Sequence, residues 1–264
     1  MSEPTARHPH GQVTTEIVDE HVWVMTIDRA EKKNGLTPKI FIELADAYTR
    51  LDEDPDLFVG VLSFAGADAT AGLDMPLMFA PDTPRPEGHL VDPFGLRRRV
   101  TKPIVTAVQG TTYTAGIELA LAGDIVVASS DTKFSQLEPK RGLTALGGAT
   151  FRFVERGGWG NAMYHLLLAD VFDADEALRI GIVQEIVEPG TQIQRAIALA
   201  QIIAKNAPLG LHHTLANARR LSEAGEARAV QDIASINRAL VASEDFSEGV
   251  ASFVERRDAK FTGR

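Results

Sequence analysis

Five short apolar runs punctuate the chain: WVMTI at 23–27, FVGVLSF at 58–64, IVTAV at 104–108, IVVA at 125–128 and GIVQEIV at 181–187. Helically spaced stretches separate them, and this alternation constrains the fold more than any other feature. Strands that take turns with helices build an α/β fold, with right-handed crossovers between parallel strands. The turn residues DRAEKKNG close the first run. A helix is then expected from Thr37, as N-cap, and Pro38, at the first helical position, to the proline stop at Asp54-Pro55. Ile40, Phe41, Leu44, Ala45, Tyr48 and Leu51 share one face of it at three- and four-residue steps. From about Thr191 the pattern is helical throughout. The expected organisation is therefore an α/β core over residues 1–190 and a C-terminal helical region over residues 191–264.

Composition narrows the function classes. With 264 residues, 44% of them hydrophobic and 24% charged, the chain can bury a large core. Its net charge of -9 is the wrong sign for wrapping nucleic acid or lying on an anionic membrane, so neither partner is expected. There are no cysteines, which removes disulfides, thiolate nucleophiles and thiolate-held zinc. The seven histidines offer no metal-ligand spacing, and no metal is expected. The opening MSEPTARHPHGQ is polar, so no secretory signal is expected, and no window approaches the ~20 apolar residues of a membrane span. A cytoplasmic protein is the expectation.

Chemistry-bearing residues collect around two small-residue turns that follow strands, Thr70-Ala71-Gly72-Leu73 and Thr114-Ala115-Gly116. The first N–H groups of a helix lack partners inside it, and small side chains let a ligand approach them. Two such turns on neighbouring strands could aim one N–H each at a single oxygen, forming an oxyanion hole. Glu118 lies three residues past Ala115, about one turn along the same helix face, among Ile117, Leu119, Ala120 and Leu121. A carboxylate in apolar surroundings is costly unless paired or used, and its pKa rises. Glu138 follows in FSQLEP, at the end of a short strand and before a glycine-containing loop. The segment PDTPRPEGHLVDPFG at 81–95 is too long and broken for a core element; it reads as a binding loop or a surface insertion.

Taken in order, WVMTIDRAEKKNGLTP, DATAGLDM, AVQGTTYTAGIELALAGDIVVAS, FSQLEPKRGLTALGGATFRF and DADEALRIGIVQEIV resemble the crotonase (enoyl-CoA hydratase/isomerase) superfamily from about Val22 to the C-terminus. The resemblance implies an α/β, crotonase-like spiral of ββα units with a C-terminal helical oligomerisation region. It implies that Ala71 and Ala115 offer backbone N–H groups to a thioester oxygen, and that Glu118 and Glu138 are the paired glutamates. It places Lys33, Asn34, Leu36, Leu73 and Asp74 along the coenzyme A chain. Arg257, Lys260 and Phe261, in the tail FVERRDAKFTGR, would meet its nucleotide end across a subunit boundary. Where many members read GGG this chain reads Thr114-Ala115-Gly116, and Leu146 stands where dienoyl-CoA isomerases carry an acidic residue.

The function expected from the resemblance is an enoyl-CoA hydratase, a lyase that adds water across the 2,3 double bond of an acyl-CoA thioester. Coenzyme A would be part of the substrate, with no further cofactor, and the assembly a homotrimer or homohexamer. In this reading Glu118 is the base and Glu138 the proton donor to C2. The alternatives are an enoyl-CoA isomerase, a CoA-thioester hydrolase, or an acyl-CoA-binding protein without chemistry. Arg97, Arg98, Arg99, Lys102 and Arg256 are further basic candidates, although a solvated helix face accounts better for 97–99 than phosphate contact does. Met75, Met78, Phe79 and the 81–95 segment would shape the acyl pocket. Five apolar residues past 191, namely Ile193, Ile197, Leu199, Ile202 and Ile203, look too numerous for one thin helical layer to bury, which favours assembly.

Overall fold

The computed structural model describes residues 9–264, so most of the polar opening stretch lies outside the described residues. Hairpin strands β1 (Gln12–Val18) and β2 (Val22–Asp28) lead through a short turn to helix α1 (Pro38–Glu53). Its N-cap is Thr37, whose hydroxyl accepts from Ile40 N–H at 3.2 Å. There follow β3 (Val59–Phe64), the single-turn helix α2 (Met75–Met78), β4 (Ile104–Val108), β5 (Thr111–Tyr113), α3 (Ala115–Ala122), β6 (Ile125–Ser129) and β7 (Lys133–Ser135). Next come the long helix α4 (Ala149–Leu168), β8 (Phe172–Asp173), α5 (Ala174–Arg179) and β9 (Glu185–Val187). Helices α6 (Gln192–Ala204), α7 (Pro208–Ala224), α8 (Glu226–Val241) and α9 (Glu244–Glu255) complete the chain.

The main sheet has the order β1-β2-β3-β4-β6-β9 and is parallel except for the β1–β2 pair. Its central strands are apolar on both faces, as parallel strands covered on both sides must be. Trp23, Met25, Ile27, Leu62, Phe64, Val126 and Ala128 point into one core with α1, α3 and α4. Val22, Val24, Val59, Val61, Val105, Ala107 and Val127 point into another. A small second sheet, β5-β7-β8, stands beside it.

The second face is closed by α6. Ile193, Ile197, Leu199 and Ile203 pack there against the strand valines, leaving Ile202 of the expected five exposed. Four of the five have the sheet as a partner, yet each is only partly buried and Ile202 is exposed, so the chain by itself leaves this set incompletely covered. It is α7 that begins to extend away, fastened by Arg219, which donates to Val100 O at 2.7 Å and pairs with Asp124 at 3.2 Å. The run at 181–187 also differs from the strand expected: only Glu185–Val187 pairs. Ile182 and Val183 instead donate their N–H groups to Ala177 O, closing the end of α5. No helix among the described residues is long and apolar enough to cross a membrane.

Candidate active site

Chain continuity brings the two glycine-containing turns together. The turn after β3 bridges to the 34–36 turn through Leu36 and Leu73, and to β5 through Thr70 and Thr112. β5 leads directly into α3, whose N-cap is Thr114. Gly116 must be small: a Cβ there would come within 2.6 Å of the Thr70 methyl group.

The expected donor in the first turn is corrected. Ala71 N–H donates to Lys33 O at 2.9 Å, and Gly72 N–H donates to Thr70 Oγ1 at 3.0 Å. Among the described residues Leu73 N–H has no acceptor, because its bridge with Leu36 runs through Gly72 O and Asp74 N–H. The free amide of this turn therefore belongs to Leu73. In the second turn Ala115 N–H, at the first position of α3, likewise has no acceptor among the described residues. Both residues line a cavity of about 460 Å³, as do Thr114, Glu118 and Glu138.

Glu118 is 4% exposed, and its Oε1 accepts from Gly147 N–H at 2.6 Å and from Ala149 N–H at 3.2 Å. Burial pushes its pKa up, and these donors and the Arg152 guanidinium offset only part of the rise. Arg152 is itself buried and donates to Gly147 O at 3.0 Å, so one side chain fixes the turn that holds Glu118 and faces it with positive charge. Glu118 also lines the cavity. Glu138 opens the 3-10 turn Glu138–Arg141. Burial pushes its carboxyl up to about 7, and the Glu118 charge adds to the rise. The buried Gln136 amide lies 2.9 and 2.8 Å from the two Glu138 oxygens, its NH2 group facing them. Sequence reasoning found both glutamates and missed Arg152 and Gln136. The i, i+2 spacing of Gln136 and Glu138 around a buried strand end was the signal available.

The remaining expected contacts divide. Of the coenzyme A set only Leu73 lines the cavity. Asn34 is fully buried and spent on structure: its Oδ1 accepts from Arg29 N–H at 2.7 Å, and its amide donates to Ala65 O and Asp68 O. Leu36 is in the core, and Asp74 pairs with Arg29 at 2.7 Å. Lys33 is exposed and pairs with Asp68 at 3.3 Å. Arg257 is clamped by Glu248 and Glu255, the Lys260 N–H donates to Glu248, and Phe261 lies beside Gly249; none of these lines the cavity within this chain. No helix forms over 97–99, so the expected charged helix face is absent. Arg98 turns to Asp52 and Glu53, Arg99 is partly buried, Lys102 donates to Leu51 O and Asp54 O, and Arg256 closes the end of α9. Arg97 alone of that group lines the cavity, with Arg85 and Arg141 near it in the lining. The 81–95 segment walls the same cavity through residues including Pro84, Leu90 and Phe94, and Met75, Met78 and Phe79 face it as expected.

A sheet with this strand order, two amides free beside two carboxyl groups, and an apolar cavity define a crotonase-type site. The sequence model of the enoyl-CoA hydratase/isomerase family matches residues 18–264, and the chain belongs to that family, a crotonase-fold enzyme acting on acyl-CoA. A probable enoyl-CoA hydratase/isomerase from Mycobacterium abscessus superposes with a TM-score of 0.92 at 43% identity, covering 96% of this chain and 99% of that one. The crotonyl-CoA hydratase of Syntrophomonas wolfei is 31% identical over 250 residues, 93% of this chain and 96% of that protein. The 1,2-epoxyphenylacetyl-CoA isomerase of Escherichia coli is 29% identical over 94% of this chain and 97% of its own length.

Proposed function

We propose that the protein is a 2-enoyl-CoA hydratase. The observation that carries this reading is the unequal pair of carboxyl groups in one cavity, Glu118 held by N–H donors and Glu138 raised to about 7. Hydration needs such inequality: one group must accept a proton from water while the other still holds a proton to give. Glu118 takes a proton from the water whose oxygen bonds to C3. The double-bond electrons move toward the thioester, and charge gathers on its oxygen between the Leu73 and Ala115 N–H groups. Glu138 delivers its proton to C2, and exchange with solvent restores both groups.

An isomerase needs to move one proton from C4 to C2, for which a single carboxylate suffices. A second titrating carboxyl in the cavity favours hydration. In this reading the acyl chain runs along Met75, Met78, Phe79 and Phe94, which line the cavity. Large apolar side chains stand exposed on α4 and α9, among them Trp159, Leu167 and Phe253. This supports a homotrimer or homohexamer in which the Arg257, Lys260 and Phe261 tail reaches a neighbouring subunit's coenzyme A.

Crotonyl-CoA mixed with the protein should lose its enoyl-thioester ultraviolet absorbance, with mass spectrometry reporting the gain of one water. A shift of the double bond without gain of mass would replace this reading with isomerisation. Light scattering at micromolar concentration should return a multiple of three chains, and a monomer mass would remove the assembly proposal.

A further inference from the structure

Thr114 holds a conformation that threonine rarely adopts. Its φ is 50° and its ψ is -115°, on the positive side that favours glycine and is strained for a β-branched residue. The surroundings hold it there: its N–H donates to Ser135 O at 2.9 Å, and its carbonyl accepts from Ile117 N–H at 2.9 Å and Glu118 N–H at 3.2 Å. Glycine would satisfy all three bonds without strain, so the side chain calls for its own explanation.

The side chain points across to the other turn. A Cβ placed on Gly72 would lie 2.0 Å from Thr114 Oγ1, so the bare backbone at 72 makes room for that hydroxyl. Gly72 directly precedes Leu73, and Thr114 directly precedes Ala115, so the hydroxyl meets the first turn next to one free-amide residue and is carried by the neighbour of the other. Thr114 lines the cavity, and among the described residues its Oγ1 has no hydrogen-bond partner. A hydroxyl without a protein acceptor has a proton to give to a ligand.

We propose that the Thr114 hydroxyl is a third hydrogen-bond donor to the thioester oxygen, beside the N–H groups of Leu73 and Ala115. This rests on the acyl-CoA reading of the site. It differs from the two amide donors in being adjustable: the hydroxyl can rotate toward the oxygen as charge grows there, so it contributes more to the transition state than to substrate binding.

The test compares Thr114→Ser, Thr114→Val and Thr114→Gly with wild type in two measurements. In crotonyl-CoA hydration, Val and Gly should lower kcat about tenfold, the worth of one neutral hydrogen bond at the transition state. KM should stay nearly unchanged and Ser should restore the rate. In the second measurement, the infrared carbonyl stretch of bound butyryl-CoA labelled at the thioester carbon should move toward its free value in Val and Gly but not in Ser. Butyryl-CoA has no double bond, so this band reads the donors whether or not hydration is the reaction. A wild type that adds no water yet shifts the band would remove the hydratase reading and leave this one standing. Glycine suits the backbone at 114, so Thr114→Gly should melt no lower than wild type and keeps the test open if the valine variant misfolds. An unchanged carbonyl frequency in Thr114→Gly and Thr114→Val overturns the proposal, even if kcat falls.

Discussion

Glu118 and Glu138 share a cavity and a side-chain chemistry, and differ in what surrounds them. Glu118 projects from α3 and has one oxygen bound by two backbone amides of the 147–149 turn, with Arg152 behind. Glu138 opens an irregular turn, has no cationic partner among the described residues, and is lifted to about 7 by burial and by the charge of its neighbour. Both lose solvent, which favours the neutral acid. N–H donors and a guanidinium offset part of that at Glu118, whereas Glu138 faces the neutral Gln136 amide and no cation among the described residues. Burial is the largest influence on both carboxyls, and what distinguishes them is the pair of backbone amides and the cation that face Glu118.

The largest effects should come from erasing either side of this contrast. Glu118→Gln and Glu138→Gln should each lower the hydration rate by ~10² to 10⁴ while circular dichroism and CoA binding persist. Their pH profiles should separate them: wild-type kcat falls as pH rises through about 7, where Glu138 loses its proton, and the residual activity of Glu138→Gln should lack that limb. If both variants hydrate at the wild-type rate, neither carboxyl does the chemistry.

A smaller effect sharpens the Glu118 side. Arg152→Met keeps the side chain's bulk and removes both its charge and its bond to Gly147 O. The rate should fall about tenfold, the value of one charge-assisted hydrogen bond, and the acid limb should move to higher pH as Glu118 becomes easier to protonate. An acid limb that stays in place would mean that the amides alone keep Glu118 ionised.

The smallest effect is on stability. Burial pushes the native Glu138 carboxyl up to about 7 while an unfolded one keeps the ordinary 4.5, so between these values the native state holds a proton that the unfolded chain has released. The linked stabilisation is complete below 4.5 and is lost as pH rises through about 7. Glu138→Gln should therefore gain on wild type from pH 5 to pH 8. The gain should be about 2–4 °C in Tm, the ~1 kcal/mol left once solvent screening discounts a half-exposed group. A gain of the same size at both pH values would have a packing cause.

Much of this was legible in the sequence, for reasons that also mark the limits. β2, β3, β4 and β6 read from their apolar runs because both faces of those strands are covered, and α1 read from its cap and stripe. The glutamate pair was legible because Glu118 interrupts an apolar helix. Which amide of the 70–73 turn is free was not legible, since successive N–H groups along an extended segment point to opposite sides and the partner, Lys33 O, comes from a distant turn. Asn34 looked like a ligand contact because a buried asparagine and an exposed one have the same letter. Its three bonds to Arg29, Ala65 and Asp68 appear only in the fold. The α6 leucine and isoleucines looked unpartnered because most of the sheet face that receives them comes from β2, β3, β4 and β6, far earlier in the chain.

At neutral pH Glu138 is expected to carry the proton and Glu118 the charge. An isotope-edited infrared titration of protein labelled at the glutamate side-chain carboxyl tests it directly, with each Glu→Gln variant as the blank. The protonated-carboxyl band near pH 7 should disappear in Glu138→Gln and fade in wild type as pH passes about 7. A band that survives in Glu138→Gln and vanishes in Glu118→Gln would reverse the two roles and contradict the account.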